Sequence, residues 1–256
     1  MNARVAWVSH CPVKGLAVQQ LDECELTKSG IAGDRELFLV DENERLVNSK
    51  GLGVLQQIVP RYDGEAAELT LTFPDGTTLS RHISFNGSLR ARFWSGTIDV
   101  RVVEGPWSDA ISDLAGRNLR LVGASAPAPD RLRSGAATLL GTSSLRAIAR
   151  ILGVDDVDGR RFRMNFGIDG LEAHEEDDWL GRRVRLGEAV VVPQGNVGRC
   201  AVTTQNPDTG APDLDTLKAL AAYRGSIETT EPLPFGVYAA VASPGRVAVG
   251  DTVELV

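Results

Sequence analysis

The chain has 256 residues, 43% apolar and 24% charged, ordinary globular values that allow one large core or two intimate ones. Its net charge of −7, with no block of lysine or arginine, excludes a nucleic-acid surface, so an anionic ligand must be held by a local pocket of cations. Cys11, Cys24 and Cys200 are odd in number, widely spaced and free of any C-x-x-C pair, which argues against a disulfide framework, a zinc site or an iron–sulfur cluster and fits a reducing cytoplasm.

The first seven residues lack the basic region, apolar core and cleavage site of a signal peptide. No apolar run approaches the ~18 residues of a membrane span, so no membrane anchor is expected. Residues 5–8 read as a strand, and His10-Cys11-Pro12-Val13-Lys14-Gly15 as a turn whose Pro12 and Gly15 fix the path of Lys14. Further strands are predicted over 21–26, 37–40 and 45–47, with a tight connection at Gly30-Ile31-Ala32-Gly33-Asp34-Arg35, and a short helix over 51–58. Pro74-Asp75-Gly76 between two alternating runs, 68–73 and 77–80, is a hairpin signal. The β pattern continues over 83–85, 90–93 and 98–103. A helix over 109–115 ends at Gly116, and a strand follows over 119–122. Residues 124–130, rich in proline and small side chains, mark the expected boundary between an N-terminal β-rich region, 1–123, and a second domain, 124–256.

In the second half, Gly141-Thr142-Ser143-Ser144 precedes a helix over 145–152 capped by Gly153. Hydroxyls and free N–H groups there make either an N-cap or an anion site. Arg160-Arg161-Phe162-Arg163-Met164-Asn165 reads, taken alone, as a solvated edge, and His174 with the acids at 175–178 as a solvated turn. Trp94, Trp107 and Trp179 are expected in the core. Strands over 184–186 and 189–193 lead through a Gly/Asn-rich loop, 194–198, to Arg199-Cys200. Turn chemistry follows at Asn206-Pro207-Asp208-Thr209-Gly210, then a helix over 213–223 with Leu214, Leu217 and Leu220 on one face and Gly225 as its cap. Two closing strands are expected over 234–241 and 247–253. Cys200 thus sits where strand gives way to loop, with Arg199 beside it to favour thiolate, the form that attacks electrophiles and binds soft metals. Local chemistry alone leaves a buried structural cysteine open.

Arg199-Cys200, Thr203-Thr204, Asn206-Pro207-Asp208-Thr209-Gly210 and the following leucine-faced helix resemble the signature of the MOSC domain, the family named after the C-terminal part of molybdenum cofactor sulfurase. Nearly the whole chain is similar to the group that includes the amidoxime-reducing components. The resemblance implies a mixed α/β, strand-dominated fold: a MOSC β-barrel, an N-terminal β-rich region and a few short helices. It implies molybdenum cofactor, Mo-molybdopterin, bound through Cys200 as the protein's metal ligand and catalytic residue. It further implies that Lys14, Arg35, Ser143, Ser144, Arg163 and Asn165, with Arg199, hold the cofactor. Two positions depart from the family pattern: Gly15 stands where a serine is usual and Met164 where a proline is usual.

No dinucleotide fingerprint, phosphate-binding loop or nucleophile elbow occurs. The expected function is reduction of N-hydroxylated small molecules of the hydroxylamine or amidoxime type, with electrons from a separate electron-transfer protein. Two alternatives stay open: a sulfurtransferase carrying a persulfide on Cys200, and a non-catalytic carrier of the cofactor.

Overall fold

The computed structural model describes residues 3–64, 66–93, 96–124, 132–229 and 231–256. Trp94 and all but the first residue of the 124–130 boundary lie outside the described residues. Strands dominate, as alternating and β-branched runs demand. Seven of them close a ring in the order Phe166–Asp169, Ala137–Gly141, Pro234–Ser243, Ala189–Gly198, Val184–Leu186, Thr252–Leu255 and Ala3–His10, which pairs back onto Phe166–Asp169. Full closure leaves no ring strand with an unpaired edge. The inward residues Val5, Val8, Leu139, Phe166, Ile168, Val191, Val237 and Ala239 fill its interior. The first strand, assigned by sequence to the N-terminal region, therefore completes the C-terminal barrel.

The N-terminal region stacks a five-stranded sheet, in the order Ser84–Phe93, Gly96–Glu104, Arg120–Ala124, Leu37–Val40, Leu46–Val47, with the three-stranded meander Val59–Asp63, Glu68–Thr72, Thr78–His82. Their core joins Leu39, Leu55, Leu69, Leu71, Trp107 and Leu121. The Pro74-Asp75-Gly76 hairpin forms as its turn residues require, with Asp75 Oδ1 accepting from Thr77 N (2.8 Å). A third small sheet, Gly245–Ala248 on Glu23–Thr27, joins the two regions.

Among the described residues three α-helices complete the fold: α1 (Trp107–Ala115), α2 (Thr142–Leu152) and α3 (Thr216–Arg224). Left-handed Gly116 and Gly153 end the first two. Several boundaries differ from the sequence reading, each for a local reason. The stretch at 194–198 extends the strand Ala189–Gly198, because Pro234–Ser243 supplies its pairing partner through several register shifts. The helix expected over 51–58 is a 3-10 turn, Gly53–Gln57, and Val59–Asp63 beyond it is a strand that the reading lacked. Helix α3 starts three residues later than expected, since Asp213 is drawn into an ion pair with Arg161. Trp107 and Trp179 are core residues, as expected.

Candidate functional site

A cavity of about 590 Å³ opens between the two regions. Its N-terminal wall brings Lys14, Gly15, Asp34, Arg35, Asn48 and Ser49; its C-terminal wall brings Thr138, the run 161–165, the strand end at 197–200, Thr203 and Glu231. Of the residues singled out by sequence, Lys14, Arg35, Arg163, Asn165, Arg199 and Cys200 all line it. The lining carries five basic side chains, Lys14, Arg35, Arg161, Arg163 and Arg199, against two acidic ones, Asp34 and Glu231. In a chain of net charge −7 this is a local excess of positive charge, the condition for holding an anion.

Cys200 leaves the strand Ala189–Gly198 and caps the short 3-10 turn Ala201–Thr204, where Thr203 N donates to Cys200 O (3.1 Å). It is exposed, whereas Cys11 and Cys24 are buried. Burial pushes the Cys24 thiol up to about 12, so Cys24 is an inert core thiol. Arg199 turns its guanidinium to the barrel wall. Nη1 donates to Phe162 O (2.9 Å), Nε to Phe235 O (2.9 Å) and Nη2 to Met164 Sδ (3.0 Å). These bonds tie the strand end that carries Cys200 to its neighbours. The methionine standing where the family pattern has proline thus supplies an acceptor that proline lacks.

Asp34 is the hub of the opposite wall, a role the sequence reading missed by taking it only as a turn residue. Its carboxylate accepts from Cys11 N (2.6 Å) and Asn165 Nδ2 (3.0 Å) and pairs with Arg35. Arg35 Nη2 in turn donates to Arg163 O (2.9 Å), and Arg163 Nη2 donates to Leu16 O (2.8 Å) and the Cys11 sulfur (2.9 Å). Asn165 Nδ2 also donates to Ser9 O (3.2 Å), while its Oδ1 accepts from Thr138 Oγ1 (2.9 Å). Arg35 and Arg163 both hold left-handed backbones, φ 54 in each case, a strained choice for arginine that this bonding fixes. Lys14, only 8% exposed, reaches over the Phe93 ring at 5.4 Å.

Gly15 has its own explanation. Its φ is +93, and a Cβ there would stand 2.9 Å from Asn48 Cα, so the backbone path admits no serine without a shift. Arg161, read from sequence as solvated, is 5% exposed. It pairs with Asp213 (2.6 Å) and donates to Gln205 O (2.7 Å), which holds the Asp213 carboxyl below the usual carboxylate range.

Ser143 and Ser144 require correction, because the structure does not bring them into the cavity lining. They lie inside the first turn of α2. Ser143 Oγ donates to Leu171 O (2.5 Å); Ser144, fully buried, donates to the Glu176 carboxylate (3.0 Å) and accepts from His174 N (2.9 Å). Glu176 also accepts from Gly141 N (3.2 Å), so an internal carboxylate occupies the helix start that an external anion would need. The acidic run is accordingly no solvated turn: Glu176 is fully buried, with burial raising its pKa, and Asp177 pairs with buried Arg224.

Residues 133–254 match the family model described as MOSC domain, and residues 2–116 match the MOSC N-terminal beta barrel domain. Mitochondrial amidoxime reducing component 2 of Rattus norvegicus is 36% identical over 99 residues, covering 36% of this chain and 28% of that protein. Mitochondrial amidoxime-reducing component 1 of Mus musculus is 34% identical over 105 residues, covering 39% and 30%. Molybdenum cofactor sulfurase of Oryza sativa subsp. japonica is 36% identical over 70 residues, covering 27% of this chain and 8% of that protein. The matched stretches thus span less than a third of these relatives. Among solved structures, the YUAD protein of Bacillus subtilis superposes with a TM-score of 0.46 at 12% identity, across 100% of this chain and 96% of that one.

Proposed function

We propose, from the premise that the chain carries both MOSC domains and so belongs to the MOSC-domain proteins, that it is a molybdenum-cofactor-dependent reductase of N-hydroxylated small molecules. The observation that carries the reading is an exposed thiol, Cys200, in a cavity whose lining holds five basic side chains against two acidic ones. A thiolate is the soft protein ligand that a sulfur-rich molybdenum centre takes, and an excess of fixed cations suits a phosphate-bearing pterin. The chemistry of the lining therefore fits the group that the family implies.

Cys200 would ligate the metal, and Lys14, Arg35 and Arg163 would hold the anionic end. Arginine is suited to that task because its guanidinium stays charged and offers paired donors. Asn165, with both amide hydrogens already given to Ser9 O and Asp34, serves by holding Asp34 and the run 163–165 in place. Arg199 anchors the strand end that presents Cys200. When bound, the cofactor supplies two-electron redox chemistry able to accept an oxygen atom. The overall change is conversion of an N-hydroxy group and two protons to N–H and water, with two electrons from a separate donor protein. The similarity to amidoxime reducing components supports this substrate class.

The test is molybdenum and pterin per chain, by elemental mass spectrometry and fluorescence, in protein from a host that makes the cofactor. Near-stoichiometric metal that Cys200→Ala abolishes, with hydroxylamine reduction from an artificial donor, is the expected result. Loading without reduction would instead leave a carrier. Sulfur transfer is a second reading, favoured by the accessibility of the thiol and by the stretch similar to molybdenum cofactor sulfurase. It requires an adduct of about 32 Da on Cys200, one sulfur atom, in the absence of metal.

A further inference from the structure

The turn that presents Cys200 is held from the N-terminal region. Cys200 and Gln205 are the two caps of the single 3-10 turn Ala201–Thr204, so whatever fixes Gln205 fixes the thiol's support. Gln205 is 7% exposed and projects across the interface: its Nε2 donates to Ser49 O (2.9 Å) and its Oε1 accepts from Gln56 Nε2 (2.7 Å). Gln56 is 3% exposed and stands on the 3-10 turn Gly53–Gln57. On its rim, Gln57 Nε2 donates to Thr209 O (2.9 Å). Between these side-chain bonds the two backbones touch. A Cβ on Gly53 would lie 2.1 Å from Gly210 O, and one on Gly210 would lie 1.9 Å from Gly53 O. From below, Arg161 donates to Gln205 O. Buried amide pairs of this kind have few alternative partners, and losing one leaves the other unsatisfied, so the contact fixes one seating of the loop.

We propose that this contact sets the position of the Cys200 thiol, with Gln56 as a positioning residue and the Gly53–Gly210 approach as the stop against which the loop rests. The N-terminal region then does more than line the cavity, because it determines where the C-terminal domain places its thiol. The inference deepens the reading of Cys200 as the working atom and rests on it for its functional meaning. The physical claim needs no bound cofactor.

That independence shapes the experiment. Cys200 is the exposed thiol, with Cys11 and Cys24 buried, so alkylation by iodoacetamide of the full-length protein made in a host that lacks the cofactor, located by mass spectrometry, reports on this one turn. Gln56→Ala should raise the Cys200 alkylation rate about five-fold or more, the equivalent of one lost buried hydrogen bond. The control is Val103→Ala, which empties the same N-terminal core from the strand Gly96–Glu104 without touching the contact. It should lower Tm at least as much and leave the alkylation rate within about two-fold of wild type. Gly53→Ala, with its added carbon against Gly210 O, should exceed Gln56→Ala. If Gln56→Ala is not recovered folded, Gln57→Ala, which removes only an exposed bond, should still raise the rate above that of Val103→Ala. A Gln56→Ala rate at or below that of the control overturns the proposal, since the contact would then contribute stability alone. Molybdenum content, measured on wild-type and Cys200→Ala protein from a host that makes the cofactor, separately decides the reading of Cys200 as a metal ligand.

Discussion

The cavity around Cys200 and the polar cluster joining α2, α3 and the turn Glu175–Trp179 are built from the same materials: arginines, carboxylates, hydroxyls and a buried amide. In the helical cluster the two inward carboxylates, Glu176 and Asp177, meet their answers inside the fold. Glu176 takes Gly141 N and Ser144, and Asp177 takes Arg224 and Asn196 Nδ2 (2.7 Å). In the cavity, where Arg161 is answered by Asp213, the same accounting still leaves positive charge over, four basic groups against two acidic. An anion site is therefore marked by an imbalance enclosed by rigid walls, and a local abundance of polar residues is not enough. Buried groups that satisfy one another specify the fold; groups that jointly exceed their internal partners can hold something else.

The sharpest way to break this contrast is to remove one member from each side. Arg163→Gln takes one charge from the cavity while keeping an amide donor for Leu16 O. It should lower pterin retained per folded chain by at least about ten-fold, the scale of a lost charge-assisted hydrogen bond, while Tm moves little. Retention equal to wild type would mean that the cavity's charge excess does not bind the anion. Next in size is Ser144→Ala in the helical cluster. It strips a donor from Glu176 and an acceptor from His174 N, and should cost about 2 kcal/mol, a fall of several degrees in Tm. Pterin per folded chain should stay at the wild-type level. If Ser144→Ala lost pterin as Arg163→Gln does, the distinction between the two clusters would fail.

The contrast also separates what the sequence conveyed from what it withheld. Lys14, Arg35, Arg163, Asn165 and Cys200 were legible because they stand in short motifs that resemble the MOSC pattern, and the structure brings all five to one cavity. Ser143 and Ser144 carried an equally good local signal, a hydroxyl pair at a helix start. What cancels it is Glu176, 32 residues downstream of Ser144, and no local pattern reveals which carboxylate will fold against which helix. Asp34 and Arg161 were passed over for the converse reason. Their neighbours in sequence suggest turn and edge, while their partners, Cys11, Asn165, Gln205 and Asp213, are long-range. The strand pattern was readable nearly throughout, but the membership of Ala3–His10 in the C-terminal barrel is a matter of pairing, which alternation alone cannot encode.

The smallest expected effect is a slope, and it tests whether the helical cluster is as closed as its hydrogen bonds imply. His174 stands at its rim, with Nε2 2.6 Å from Tyr223 Oη, its ring against Phe235, and Nδ1 buried without a partner among the described residues. Burial, helped by the charge of Arg224, lowers its pKa from 6.5 to about 4. A histidine with a depressed folded pKa leaves stability unaffected above the unfolded value of 6.5, where both states hold it neutral. Between 6.5 and about 4 the unfolded chain binds the proton first, so stability falls as pH falls through that window. His10, also lowered by burial, adds to the fall and remains in both proteins compared. Its presence makes the difference between them the informative quantity. His174 has φ 66, a left-handed backbone that asparagine tolerates better than most residues, so His174→Asn removes the titration with little backbone cost. The drop in Tm from pH 7 to pH 5 should be smaller in His174→Asn than in wild type, with molybdenum content unchanged. An equal drop would place His174 in water in the folded state and the cluster open at that rim. A steeper drop in the variant would mean that the imidazolium is stabilised there, reversing the sign assigned to its burial.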